Sequence, residues 1–170
     1  DGEANTRGQV TIQSGARVQA SSNYVAFVAP RVSQNGRVTA AGSVAMIAAE
    51  AAEVTIPLAG GLFSIGVSRG TTVDAAGETV LTHGGTTSGP GVTGFTDDRR
   101  VYLMAVPKND AVTMLVTGTV GYEAAQQVGV ENGRVILTTR AGVASTTAGD
   151  FLPGSDVKSS TIAITNAAFT

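Results

Sequence analysis

The chain has 170 residues, enough for one domain with a sizeable core, and two domains would each be small for independent stability. A formal charge of −2 with 14% charged residues excludes the basic field that draws nucleic acid or an anionic membrane, and zero Cys excludes a disulfide framework and thiolate metal sites. With 5% aromatics, no Trp and 22 glycines, the composition favours strands and turns over helices, so the fold class expected is all-β.

No apolar run approaches the roughly 18 to 20 residues of a membrane helix. The opening Asp1-Gly2-Glu3-Ala4 carries no basic-then-apolar export signal, and the expectation is a segment of a longer product whose signal lies upstream or has been removed.

The elements recur in chain order. Ala16-Arg17-Val18-Gln19-Ala20 is followed by Asn23-Tyr24-Val25-Ala26-Phe27-Val28-Ala29, and the pair returns as Gly36-Arg37-Val38-Thr39-Ala40 and Gly42-Ser43-Val44-Ala45-Met46-Ile47-Ala48. Val18 falls on Val38 and Val25 on Val44, at offsets of 20 and 19 residues. Two strand types repeating in the same order describe a winding that carries several short strands per turn, each turn stacked on the last. Val, Ile or Ala alternates with polar residues, which turns one strand face to a narrow interior and the other to solvent. Corners fall at Ser14-Gly15, Asn35-Gly36 and Ala41-Gly42. Asn-Gly taken alone fits an antiparallel hairpin of a sandwich, but hairpins give no same-direction recurrence. The expectation is therefore a right-handed parallel β-helix, a single solenoid domain over residues 1–170.

After Pro57 the recurrence loosens. Leu62 to Val67 reads as a strand, whereas Thr71 to Asp98, with Gly84-Gly85 and Gly89-Pro90-Gly91, has the Gly/Thr/Ser composition of an excursion from the winding. Arg100 to Pro107 echoes Asn23 to Pro30 with Tyr102 in the place of Tyr24, which predicts that the winding resumes and that the two tyrosines stack. Val112 to Val116, Gly133 to Thr139 and Thr161 to Thr165 read as further strands, the last after a polar Ser145 to Ser160 connection. Ala48 to Glu53 and Glu123 to Gln127 are the best helix-forming runs, each a single turn at most.

Tyr24 to Pro30, Val32, Asn35-Gly36, Val38, Ala40 and Gly42-Ser43-Val44-Ala45 together resemble the large exoproteins of the filamentous haemagglutinin group. In that group a Val/Ala/Leu strand ends at Ala-Pro, an Asn-Gly corner follows, and a second Val/Ala strand leads to a Val-Thr-Leu-like strand, here Val54-Thr55-Ile56. The match covers about residues 8 to 67, with Val101 to Pro107 and Gly133 to Thr139 similar to downstream parts in less specific ways. The resemblance implies two-partner secretion past an outer-membrane transporter, a β-helix at the bacterial cell surface or outside it, and adhesion or aggregation through glycans or proteins of host or neighbouring cells. The group's Asn-Pro export motif does not occur in this chain.

Residues for chemistry are few. The single histidine, His83, has no Cys and no nearby carboxylates with which to hold zinc, and it reads as an exposed loop residue. Asp97-Asp98-Arg99-Arg100 lacks the flanking pattern of a Ca²⁺ loop and reads as a solvated turn. No Gly-x-Ser-x-Gly elbow and no phosphate-loop motif occurs. The expectation is no enzyme, with no catalytic, cofactor or metal residue. A polysaccharide-active enzyme, with Asp74, Asp97, Asp98, Arg99 and Lys108 as its only candidates, and a filament subunit that self-associates end to end stand as the alternatives.

Overall fold

The computed structural model describes residues 7–21, 24–55, 64–89, 101–121, 127–131, 134–138 and 161–169. Among these the chain is strand and turn with no helix. It runs through three rows of strands in a fixed order. A first pass lays down β1 (Gln9–Ile12), β2 (Arg17–Ala20) and β3 (Val25–Ala29), and a second lays β4 (Arg31–Gln34), β5 (Arg37–Ala40) and β6 (Val44–Thr55) on top of them in parallel. The registers are those of the sequence recurrence, with Val18 opposite Val38 and Val25 opposite Val44.

The second pass then departs from its row. The far half of β6 turns into an antiparallel pair with β7 (Ser64–Gly70). The chain re-enters the stack at Thr71, whose hydroxyl donates to the Pro30 carbonyl at 2.8 Å and whose N–H donates to Val106 O at 2.7 Å. Thr71 thereby occupies, between Pro30 and Pro107, the corner position that proline holds one pass below and one pass above.

A third pass consists of β8 (Glu78–His83), β9 (Thr86–Ser88) and β10 (Val101–Ala105), paired in parallel with β4, β5 and β6. Next, β11 (Val112–Val120) covers two rows in one strand, its start on β8 and its end on β9. The bend between them is at Gly118, with φ of 75°. Beyond it, β12 (Gln127–Glu131) and β13 (Arg134–Thr138) form an antiparallel pair that joins β10 antiparallel, and β14 (Thr161–Phe169) lies parallel on β11.

Like residues pile into columns within the rows. Val25, Val44 and Val101 share one, Phe27, Met46 and Leu103 the next, and Ala29, Ala48 and Ala105 a third. Together with Val32, Val38, Leu81, Met114 and Val116 they form the interior, where alanines let the rows approach closely. The run Val44 to Ala49 is buried on both faces, which is why it reads as continuously apolar. Its outward side chains, Ala45, Ile47 and Ala49, join Tyr102, Met104 and Val106 in a second cluster roofed by Ile65 and Val67 of β7.

Several sequence expectations are corrected here. Residues 78–83 and 86–88 belong to the parallel rows, so the excursion expected over 71–98 does not describe them; the departure is the 49–70 hairpin, and 90–98 lie outside the described residues. The threonines of β8 and β9 fit sheet because Leu81, His83 and Thr87 are buried at alternate positions of their strands, and composition alone does not register that alternation. Ala48 to Glu53 is strand, its helix propensity overridden by pairing of Ala48 with Ala29 and Ala105 and of the following residues with β7, while 123–126 of the second helix-forming run lie outside the described residues and Gln127 begins β12. Val54-Thr55 is the end of β6 and not a separate strand; Leu62, Phe63 and the 145–160 connection are outside the described residues. Tyr102 stands level with Ala45 and Ala26, two residues from the position that the echo assigned, so it does not stack on Tyr24. An even-numbered slip keeps every side chain on its own face, and alternation therefore cannot exclude it.

The corner between rows one and two is closed by glycine. A Cβ on Gly85 would lie 2.1 Å from Gly36 O, and one on Gly118 would lie 2.2 Å from Gly85 O. Gly85→Ala is expected to lower the urea unfolding free energy by about 2 kcal/mol or more, because backbone and not a movable side chain must yield. Gly15→Ala, at φ of 83° with nothing near the added methyl, should cost only about 1 kcal/mol. Equal losses in the two variants would show that close stacking at this corner is not what selects glycine.

Candidate functional site

The same corner carries the buried polar side chains of Gln34, His83 and Thr87 on its inner side and a groove on its outer side. Ile12, Gln34, His83 and Val116 form one column across β1, β4, β8 and β11. Gln34 and His83 are fully buried within it.

Gln34 adds side-chain bonds to turn groups that already take part in the backbone ladder, where Thr86 N–H donates to Gly36 O at 2.9 Å and Gly85 N–H to Gln34 O at 3.1 Å. Its amide donates to Gly36 O at 3.0 Å and Thr86 O at 3.1 Å, and its Oε1 accepts from Gly85 N–H at 3.1 Å. One side chain thus ties the second pass to the third through hydrogen bonds that each contribute about 0.5–1.5 kcal/mol.

His83 does the same one pass on. Nδ1 lies 2.9 Å from Thr117 O and Nε2 lies 2.8 Å from the Thr87 hydroxyl. A carbonyl only accepts, so Nδ1 carries the proton and Nε2 accepts from Thr87 in the neutral ring. Thr87 occupies the column of Val38 and Val120, which puts the two inward polar residues of the third pass in contact with each other. Burial pushes the His83 pKa below its ordinary 6.5, opposed by the Thr117 and His83 backbone contacts. The expectation of an exposed loop histidine is overturned: its Gly-Gly neighbours are the close-packed corner and its side chain is interior.

On the outer side, a shallow groove of about 490 Å³ runs over the glycine corner, floored by Gly36 and Gly85 and edged by Arg17, Arg37, Asn35 and Thr86. Arg17 and Arg37 are register partners, and Arg37 is in turn opposite Thr86. Both arginines are exposed. Like charges in register oppose the pairing by about 0.2–1 kcal/mol. Neither arginine was singled out as a site in the sequence, although the Ala16-Arg17-Val18 and Gly36-Arg37-Val38 recurrence that set the register also set one guanidinium above the other.

Three other cations, one of them the candidate Lys108, face carboxylates. Arg7 pairs with Asp74, and Arg31 donates through Nε, at 2.9 Å, and Nη2 to Glu78 Oε1. Lys108 Nζ lies 3.7 Å from Glu50, a buried carboxylate that also accepts from the Thr72 hydroxyl. Asp74 and Lys108 therefore serve separate ion pairs. Asp97, Asp98, Arg99 and Arg100 lie outside the described residues. Among the described residues no group of three His, Asp or Glu side chains is placed to hold a metal ion.

Comparison with protein-family models, curated proteins and solved structures finds no match.

The His83 environment makes stability pH-dependent with a definite sign. Its folded pKa is lowered, so the unfolded chain takes up the proton first; the histidine's contribution is complete above pH 6.5 and is lost as pH falls from there toward the folded pKa. The slope in that window is expected to approach 1.4 kcal/mol per pH unit, at most. Urea midpoints between pH 7.5 and 5.5 measure it. His83→Gln should flatten the window, and an unchanged slope in that variant would assign the effect to other groups.

Proposed function

We propose that the three rows are the faces of a right-handed parallel β-helix, and that the chain is a structural, non-catalytic segment of a secreted bacterial exoprotein of the filamentous haemagglutinin kind, acting in adhesion or aggregation at the cell surface. The observation that carries this reading is the threefold return of the chain through the same three rows in the same order, with Val25, Val44 and Val101 in one column. A winding of that sort makes a stiff body whose length grows with the number of turns and whose outer faces present side chains at fixed intervals. Those are the requirements for projecting a binding surface from a cell.

The residues that resemble the group, Tyr24 to Pro30 and Asn35 to Ala45, are the ones that make the β3–β6 pairing and the glycine corner. Cleavage of a polysaccharide gains no support from Asp74 and Lys108, since each is committed to its own ion pair.

Display of the chain on a non-adherent bacterium tests the proposal. Cell-to-cell aggregation or attachment to epithelial cells should rise several-fold over an empty display scaffold, and Gly85→Ala, which disturbs the corner, should reduce it in step with the loss of folded protein. A displayed, protease-resistant chain that promotes neither attachment nor aggregation would overturn the adhesive role.

A further inference from the structure

We propose that the groove over the Gly36–Gly85 corner binds a carboxylate-bearing polysaccharide, with Arg17 and Arg37 as its anion contacts. The proposal rests on the adhesive reading and names the ligand class for it.

Charge is the first argument. Among the described residues, Arg7, Arg31 and Lys108 each face a carboxylate, whereas no carboxylate pairs with Arg17 or Arg37. These two are in register on neighbouring strands, so their Cα atoms are separated by about 4.8 Å, and they are exposed beside a concavity instead of on a convex face. Two unneutralised guanidiniums so close together make a local positive field on a chain whose net charge is −2. Each presents a planar fork that fits a carboxylate through two parallel hydrogen bonds.

Shape is the second. The floor is glycine because the backbones of successive passes press together there, and the groove over it is lined largely by main chain, from Gly15, Gly36, Gly84, Gly85 and Gly118. Thr86 and Thr119 continue the arginine column into the third and fourth strands with hydroxyl groups suited to sugar hydroxyls. The column crosses the strands, so a polymer following it meets one new row position with each pass. Acidic units recurring along such a polymer would reach both arginines, and weak contacts would sum along its length. The groove is open, unlike the enclosed cradle that a lone small anion requires. Its lining contains no aromatic side chain for a neutral sugar to stack on.

The test uses the whole chain with immobilised polygalacturonate and its fully methyl-esterified counterpart, which has the same backbone without charge. Binding to the acidic polymer should exceed binding to the ester by about tenfold or more and weaken as salt is raised from 50 to 500 mM. The double variant Arg17→Gln/Arg37→Gln should raise the Kd for polygalacturonate by about tenfold with no loss in the urea midpoint, since both side chains are exposed and their mutual repulsion is removed. Arg17→Lys/Arg37→Lys should fall between, retaining charge but not the paired geometry. Equal binding of acid and ester, no binding of either, or a double variant with wild-type Kd would overturn the proposal. Cell attachment that persists without polyuronate binding would discard this ligand while the adhesive role stands; polyuronate binding without cell attachment would do the reverse.

Discussion

The spacing between hydrogen-bonded parallel strands, near 4.8 Å, is the constraint on which the rest of this molecule depends. Each pass has to lie that far above the last along all of its strands and also around its bends, or the ladder breaks. At the corner between rows one and two the backbone N–H groups of Asn35, Arg37, Thr86 and Thr119 reach carbonyls of the pass below at 2.8–2.9 Å. That continuity leaves no volume for a β-carbon at Gly36, Gly85 or Gly118. The glycines are therefore required by the closeness of neighbouring backbone, and at Gly118 by a left-handed bend as well.

The same closeness explains why polar side chains are buried where the interior is otherwise aliphatic. A bend turns carbonyls and N–H groups toward a dry interior, where their hydrogen-bonding capacity has to be met by protein groups. Gln34 and His83 follow one another in a single column and supply donors and an acceptor to those groups. The third-pass histidine also requires Thr87 opposite Nε2, so a polar residue replaces the valine found at that position one pass earlier. The consequence is a buried ring whose charging is opposed by desolvation, tied to the integrity of the corner.

Inside and outside of the corner are thus linked. A groove lies over the glycine corner, and the strand register that makes the interior columns also aligns Arg17 with Arg37 along its rim. Under the proposed β-helix reading, binding capacity is a by-product of periodicity: residues that recur at the winding interval become a one-dimensional array. Row three is used differently. Its outer face is roofed by β7, which withdraws Ile47, Tyr102 and Met104 from solvent, whereas the glycine corner presents an accessible concave surface.

By itself the sequence determined the all-β composition, the two recurring strand types and their register, because a repeat at a fixed interval encodes which residues lie over one another. It determined the corners at Ser14-Gly15, Asn35-Gly36 and Ala41-Gly42 for the same reason. Only the tertiary structure decided what happens where the repeat is interrupted. The β6–β7 hairpin breaks the interval, so the third pass, residues 78–88, no longer falls at the expected spacing and its polar composition reads as loop. His83 shows the limit most plainly. Beside two glycines it has the local pattern of an exposed turn, and its burial comes from passes below and above that lie 49 and 33 residues away at Gln34 and Val116. Local pattern reports which face a residue takes; the stacking of distant segments decides whether that face is covered.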